Sequence, residues 1–156
     1  MVASVEPDPK ETIGALRDLG AKLRFDDRGR AFEVNLQETG TADQDFAILK
    51  CLKHVKDISL HRTKVTSTGL ENFTHLTRLE KLYLTDTQID DRGLVHLSKL
   101  LNLKILGLSG TAVSDAGLEH LKTLKALELL FLIGTTVSDQ GVKKLKSSLP
   151  SCDIFN

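Results

Sequence analysis

Apolar and polar residues alternate along this chain in a pattern that repeats every 24 residues, without insertion from Val34 to Val142. One apolar column reads Val34, Ile58, Leu82, Leu106, Leu130 and Ile154. A second, two residues on, reads Leu36, Leu60, Leu84, Leu108 and Leu132. Apolar residues two apart mark one face of an extended strand, so each period opens with a short strand whose inward face is aliphatic. Leu84, Leu108 and Leu132 are expected to lie buried in adjacent parallel strands. A threonine column follows (Thr39, Thr63, Thr87, Thr111, Thr135), and two residues further stand Thr41, Val65, Ile89, Val113 and Val137. Hydroxyls buried at a strand exit are expected to bond the backbone of the next coil.

The spacing then becomes helical. Thr66, Asp90, Ser114 and Ser138 stand where a helix N-cap belongs, and Asp43, Asp91, Asp115 and Asp139 stand just after it, where negative charge suits the helix dipole. Phe46, Leu70, Leu94, Leu118 and Val142 follow. Three residues later come Leu49, Phe73, Leu97, Leu121 and Leu145, and three later again Leu52, Leu76, Leu100 and Leu124. Gly69, Gly93, Gly117 and Gly141 precede the first of these columns, where a missing Cβ permits close packing between coils. Each period therefore predicts a strand, a turn and a helix on the opposite side.

A fixed period in this range is the mark of leucine-rich repeats. The segments LEKLYLTDTQIDDRGLVHLSKL and LKILGLSGTAVSDAGLEHLKTL resemble the 24-residue repeat of the cysteine-containing type, with Thr standing where that type has Cys. The Thr form is similar to repeats common in bacterial proteins. The resemblance covers residues 31–149. It implies an α/β, right-handed leucine-rich-repeat solenoid, a horseshoe arc with a parallel β-ribbon on its concave face and helices on its convex face. The ends depart from the pattern: Asp45 stands where Gly is expected, and the last repeat shifts its final leucine to Leu149, before Pro150. The N-terminal 30 residues hold no F-box-like segment, so the ubiquitin-ligase role of that family is not carried over.

A solenoid must cover its two apolar ends. Residues 1–30 read as an N-terminal cap: Ile13, Leu16 and Leu19 have helical spacing within residues 9–19. Lys22 to Phe25 and Arg30 to Val34 then flank the turn signal Asp26-Asp27-Arg28-Gly29, as in a hairpin. Residues 31–149 form five repeats, and residues 150–156 form a last strand. That strand either closes the array or is followed by further repeats.

Composition narrows the function. Lys plus Arg and Asp plus Glu number 21 each, so the global field of a nucleic-acid or anionic-membrane binder is missing. The opening MVASVEPDPKE resembles no export signal, and no apolar stretch is long enough to span a membrane. Cys51 and Cys152 lie four repeats apart, about 19 Å along the stack, beyond disulfide reach. Two free thiols suit a reducing, cytoplasmic setting.

No phosphate-binding glycine loop, dinucleotide fingerprint, zinc-spaced Cys/His set or nucleophile elbow is present. Asp57, Ser59 and His61 share one strand face, but Asp57 and His61 are about 13 Å apart, too far for the carboxylate to orient the imidazole. His96 and His120 stack on neighbouring convex helices with no carboxylate column beside them, and read as solvated residues. Lys143, Lys144 and Lys146 read as a solvated last helix. Neither an enzyme nor a cofactor, metal or small-molecule substrate is expected.

The outward strand positions remain. They form three columns: Glu33, Asp57, Lys81, Ile105, Leu129; Asn35, Ser59, Tyr83, Gly107, Phe131, Phe155; and Gln37, His61, Thr85, Ser109, Ile133. The N-terminal half of this face is polar. The C-terminal half collects Tyr83, Ile105, Leu129, Phe131, Ile133 and Phe155, with Gly107 leaving a hollow between Tyr83 and Phe131. An aromatic and aliphatic patch that the fold does not need to bury is the expected binding face for a protein partner. Two alternatives stand beside it: a structural subunit that self-associates through the same patch, and a domain of a larger regulatory protein or enzyme.

Overall fold

The structure, a computed structural model, describes residues 8–156; the first seven residues of the expected cap, and most of the segment read for an export signal, lie outside them. Seven strands form one sheet in chain order. β1 (Lys22–Phe25) pairs antiparallel with β2 (Ala31–Asn35), forming the hairpin expected from the turn signal. β3 (Asp57–Ser59), β4 (Lys81–Tyr83), β5 (Ile105–Gly107), β6 (Leu129–Phe131) and β7 (Asp153–Phe155) continue it in parallel. Their register advances by the 24-residue period, pairing Leu82 with Leu106 and Leu106 with Leu130. The fold is the α/β leucine-rich-repeat solenoid that the resemblance implied.

Leu84, Leu108 and Leu132 are fully buried. They stand just beyond the three-residue strands, yet the ladder continues through them: Leu84 N donates to Gly107 O at 2.8 Å, and Leu108 N to Phe131 O at 2.8 Å. The convex columns are buried too, Val142 only partly. A further buried column, Val55, Leu79, Leu103 and Leu127, fills the return from the convex side to the strand.

The convex segments differ from the expected uniform helices. α2 (Asp91–Leu97), α3 (Asp115–Leu118) and α4 (Asp139–Ser148) are α-helical, α3 running on into a 3₁₀ turn at Glu119–Leu121; the first two coils carry 3₁₀ turns alone, at Asp43–Cys51 and Gly69–Phe73. The caps account for the first of these turns only. Asp90, Ser114 and Ser138 have extended backbones and accept from Arg92 N, Ala116 N and Gly141 N, as N-caps do. Ala42 has no side-chain acceptor, whereas in the second coil Thr66 Oγ1 still accepts from Thr68 N at 3.3 Å, so the 3₁₀ form there does not come from a missing cap. α4, the longest of the convex helices, takes up one more residue, which places Leu149 rather than Ser148 in the core.

Two hydrogen-bond expectations are corrected. The threonine hydroxyls bond within their own coil: Thr39, Thr63, Thr111 and Thr135 donate to the carbonyls of Leu36, Leu60, Leu108 and Leu132 at 2.6–2.7 Å. The turn folds that carbonyl back within reach, so no partner from the next coil is needed. The aspartates after the caps do more than answer a helix dipole. Asp43 accepts from Thr66 N and its hydroxyl, Asp91 from Ser114 N and its hydroxyl, and Asp115 from Ser138 N and its hydroxyl. Each carboxylate thus clamps one coil to the next. Where the cap is itself acidic, the pair is exchanged: Ser67 stands in the aspartate column, donates to Asp90 Oδ1 at 2.6 Å and accepts from Asp90 N at 2.9 Å. A Cβ at Gly69, Gly117 or Gly141 would collide with the clamping carboxylate, which accounts for the glycine column.

At the N-terminus α1 (Lys10–Asp18) buries Thr12 and Leu16, and the Asp8 carboxylate accepts from Ala31 N at 2.5 Å. This ties the helix to the start of β2.

Candidate concave binding face

Strands of this ribbon bury every second side chain, so the residues between them stand on the concave face. The parallel register sets them in rows: Lys81, Ile105, Leu129 and Asp153 in one, Tyr83, Gly107, Phe131 and Phe155 in the next. All seven candidate residues fall on this one face. Tyr83, Ile105, Leu129 and Phe131 are half-buried, while Ile133 is 59% and Phe155 45% exposed. The rings of Phe131 and Phe155 stack with centroids 5.1 Å apart and planes 13° from parallel. Gly107 is buried, because the Tyr83 ring leans across it: a Cβ there would meet Tyr83 Cδ1 at 3.3 Å and Thr85 Oγ1 at 3.2 Å. The hollow expected over Gly107 is therefore occupied on its Tyr83 side.

A concavity lies on the polar half. A depression of about 560 Å³ is lined by Arg24, Glu33, Asn35, Asp57, Ser59, His61, Lys81 and Tyr83, among others. Arg24 was not among the candidates; it joins because the hairpin adds an antiparallel strand that sets it opposite Glu33. Arg24 Nη1 bonds Glu33 Oε2 at 2.9 Å with its guanidinium 5.1 Å from the centre of the Phe32 ring. Lys81 Nζ bonds Asp57 Oδ2 at 3.1 Å, and this bond holds the lysine pKa above its ordinary value. Asp57 is thus engaged with Lys81, and no hydrogen bond among the described residues joins it to His61. The charges of this half are closed into pairs within the fold.

Away from the ribbon, His96 and His120 are half-buried on the convex side. In the lysine cluster, Lys144 pairs with Glu119 at 2.8 Å, and Lys146 donates to the Cys152 carbonyl at 2.5 Å. Lys122 and Lys144 together hold the Glu119 carboxyl down at about 2. Cys51 is exposed and unpaired; burial pushes the Cys152 thiol up to about 11, so it stays protonated and inert. No helix among the described residues is long and apolar enough to cross a membrane.

Known structures place this architecture in a class. An internalin from Listeria monocytogenes superposes with a TM-score of 0.61 at 22% identity, covering 70% of this chain and 30% of the internalin. The leucine-rich-repeat ectodomain of the receptor kinase SOBIR1 from Arabidopsis thaliana superposes with a TM-score of 0.56 at 16% identity, covering 96% of this chain and 93% of the other. A second Listeria internalin, C2, gives a TM-score of 0.50 at 18% identity over 96% of this chain and 83% of its own. This chain thus spans less than a third of the first of these proteins. No protein-family model and no curated protein matches its sequence. Fold and neighbours agree: the molecule is a solenoid of stacked strand-and-turn coils. It has the leucine-rich-repeat fold, and solenoids of this kind create extended concave surfaces.

Proposed function

We infer that the chain is a non-catalytic protein-binding module whose partner docks on the C-terminal half of the concave face. The observation that carries this reading is the unsatisfied apolar patch. Ile133 and Phe155 are exposed and Phe131, stacked on Phe155, is half-buried, although the inward residues beside them, Leu130 and Leu132, are fully buried. Large exposed apolar side chains grouped on a rigid sheet are what a binding hot spot requires. The partner is expected to fill the patch with its own aromatic or aliphatic side chains. The ion-paired polar half would border it as a rim, affecting association rate more than affinity. A reducing, cytoplasmic setting belongs to this reading and rests on the two unpaired cysteines.

The test uses Ile133→Asp, which puts a charge in the patch without disturbing the core. Sedimentation of the wild-type chain at micromolar concentration should show a monomer, and affinity capture should retain a partner that Ile133→Asp releases. Concentration-dependent dimerisation abolished by Ile133→Asp would replace the partner by a second copy of the chain. Capture unaffected by Ile133→Asp would remove the concave patch from the account.

A further inference from the structure

The flank on which the chain returns from the convex side to the ribbon carries a second surface of different chemistry. Lys56, Glu80 and Lys104 occupy one column of successive coils, and His54, Arg78 and Asn102 the column beside it. Lys56, Arg78, Glu80, Asn102 and Lys104 together line a groove of about 310 Å³. Glu80 is the single carboxylate of the groove and both its oxygens are taken, Oε1 by Lys56 at 2.9 Å and Oε2 by Lys104 at 2.8 Å. These two lysines hold the Glu80 carboxyl down at about 2, so it stays charged and engaged.

Arg78 is left over. Among the described residues it forms no ion pair; its guanidinium meets the imidazole of His54, Nη1 to Nδ1, at 3.0 Å. A guanidinium can only donate, so Nδ1 must accept and the ring must be neutral. The surroundings keep it so: burial, and then the charges of Arg30 and Arg78, lower the His54 pKa, against smaller opposing effects of Asp8 and Asp26. Arg30 is itself paired with Asp26. The imidazole therefore orients Arg78 without neutralising it. The groove lining, three cations and one carboxylate, carries a surplus of two positive charges, offset in part by Glu128 near Lys104, in a protein whose global charge is zero. Asn102 is also held in place, its Nδ2 donating to Thr77 O at 2.7 Å and leaving its second N–H for a ligand.

We propose that this flank groove is a binding site for an oxyanion, a carboxylate or phosphate group, held by the free edge of Arg78 and by Asn102 and flanked by Lys56 and Lys104. A pre-oriented guanidinium presents two parallel N–H groups, the geometry that such anions accept in a bidentate manner. The groove volume exceeds the space of a few waters, about 30 Å³ each in the liquid, so there is room for such a group. The site is independent of the concave patch and of the reading given to that patch.

The experiment is an NMR titration of the intact chain at low ionic strength, ~10 mM, where screening extends over about 30 Å. Inorganic phosphate is one ligand and a tetraglutamate peptide the other. Saturable shifts are expected at the Arg78 backbone amide, the Asn102 side-chain amide and the His54 ring. Arg78→Gln should weaken binding by about tenfold or more, and Lys143→Gln, at an exposed lysine away from the groove, should leave it unchanged. Saturation by phosphate alone identifies a phosphoryl source, and saturation by the peptide a carboxylate source. No saturable shift with either ligand, or equal binding by wild type and Arg78→Gln, overturns the proposal. If Arg78→Gln loses its dispersed spectrum, Asn102→Asp, which places a competing carboxylate in the groove, is held to the same tenfold criterion.

Discussion

The two faces of the same ribbon obey different rules. Inward positions keep one residue type from coil to coil, Leu82, Leu106 and Leu130 or Leu84, Leu108 and Leu132, and all are fully buried. Outward positions change within three coils from Asp57 and Lys81 to Ile105 and Leu129, and from Ser59 and Tyr83 to Gly107 and Phe131. The backbone is the same for both faces, so the difference lies in what each column must satisfy. An inward residue meets its own copy one coil away and must match it in volume. An outward residue is free of that demand, and its departures from the repeat are the part of the sequence available for recognition.

The sharpest way to break this comparison is to cut into the repeating face. Leu108→Ala opens a cavity between coils that share one core, and should cost about 2–5 kcal/mol in denaturant unfolding. A loss below ~1 kcal/mol would mean that the coils do not depend on that column.

A second prediction concerns the clamp on the convex edge. Ser67→Asp sets a carboxylate against that of Asp90 and removes the hydroxyl that Asp90 needs, so it should destabilise the chain by about 1–3 kcal/mol. The double change Ser67→Asp with Asp90→Ser rebuilds the arrangement seen at Asp91 and Ser114, and should recover most of that loss. Recovery measured as a coupling energy in a double-mutant cycle distinguishes a true clamp from two unrelated surface residues. Additive effects would contradict it.

A smaller effect is expected from acid. The Asp90 carboxyl is held at about 2 by bonds from Arg92 and Ser67, against an ordinary 3.8. Its folded-state pKa is depressed, so its contribution to stability is present above the ordinary value and is lost as pH falls from about 4 towards 2. Glu80 behaves in the same sense, from 4.5 to about 2. Both are partly exposed and screened, so the melting temperature should be flat above pH ~5 and decline only modestly below it. Removing the Asp90 contribution with Asp90→Asn should make the acid limb shallower.

The fold was legible in the sequence because burial acts on columns, and columns are visible at a fixed period. Strand register and the glycine column followed from that alone, and the hairpin from its turn signal. What was not legible depends on where a short polar side chain turns. Thr63 bonds Leu60 O, three residues back in its own coil, and no spacing distinguishes this from a bond to the next one. Asp91 and Ser114 are 23 residues apart and meet across coils, yet each by itself reads as an ordinary capping residue. The 3₁₀ form of the first two convex turns also escaped the pattern, since apolar residues three apart suit either helix. For the binding face, the identity of the outward residues was readable, but the depression beside Glu33 and Asp57 was not, because it needs Arg24 from a strand outside the repeats.

The central claim, that the apolar half of the concave face serves recognition and not folding, is tested most directly by one paired measurement: thermal stability and partner affinity of Phe131→Ser beside Glu33→Ser. Phe131 is half-buried and stacked on Phe155, so its loss should cost no more than about 1.5 kcal/mol of stability while weakening the complex by roughly thirtyfold or more. Glu33→Ser should change each by about 0.5 kcal/mol or less. Unfolding of Phe131→Ser, or binding by it as tight as that of Glu33→Ser, would contradict the account.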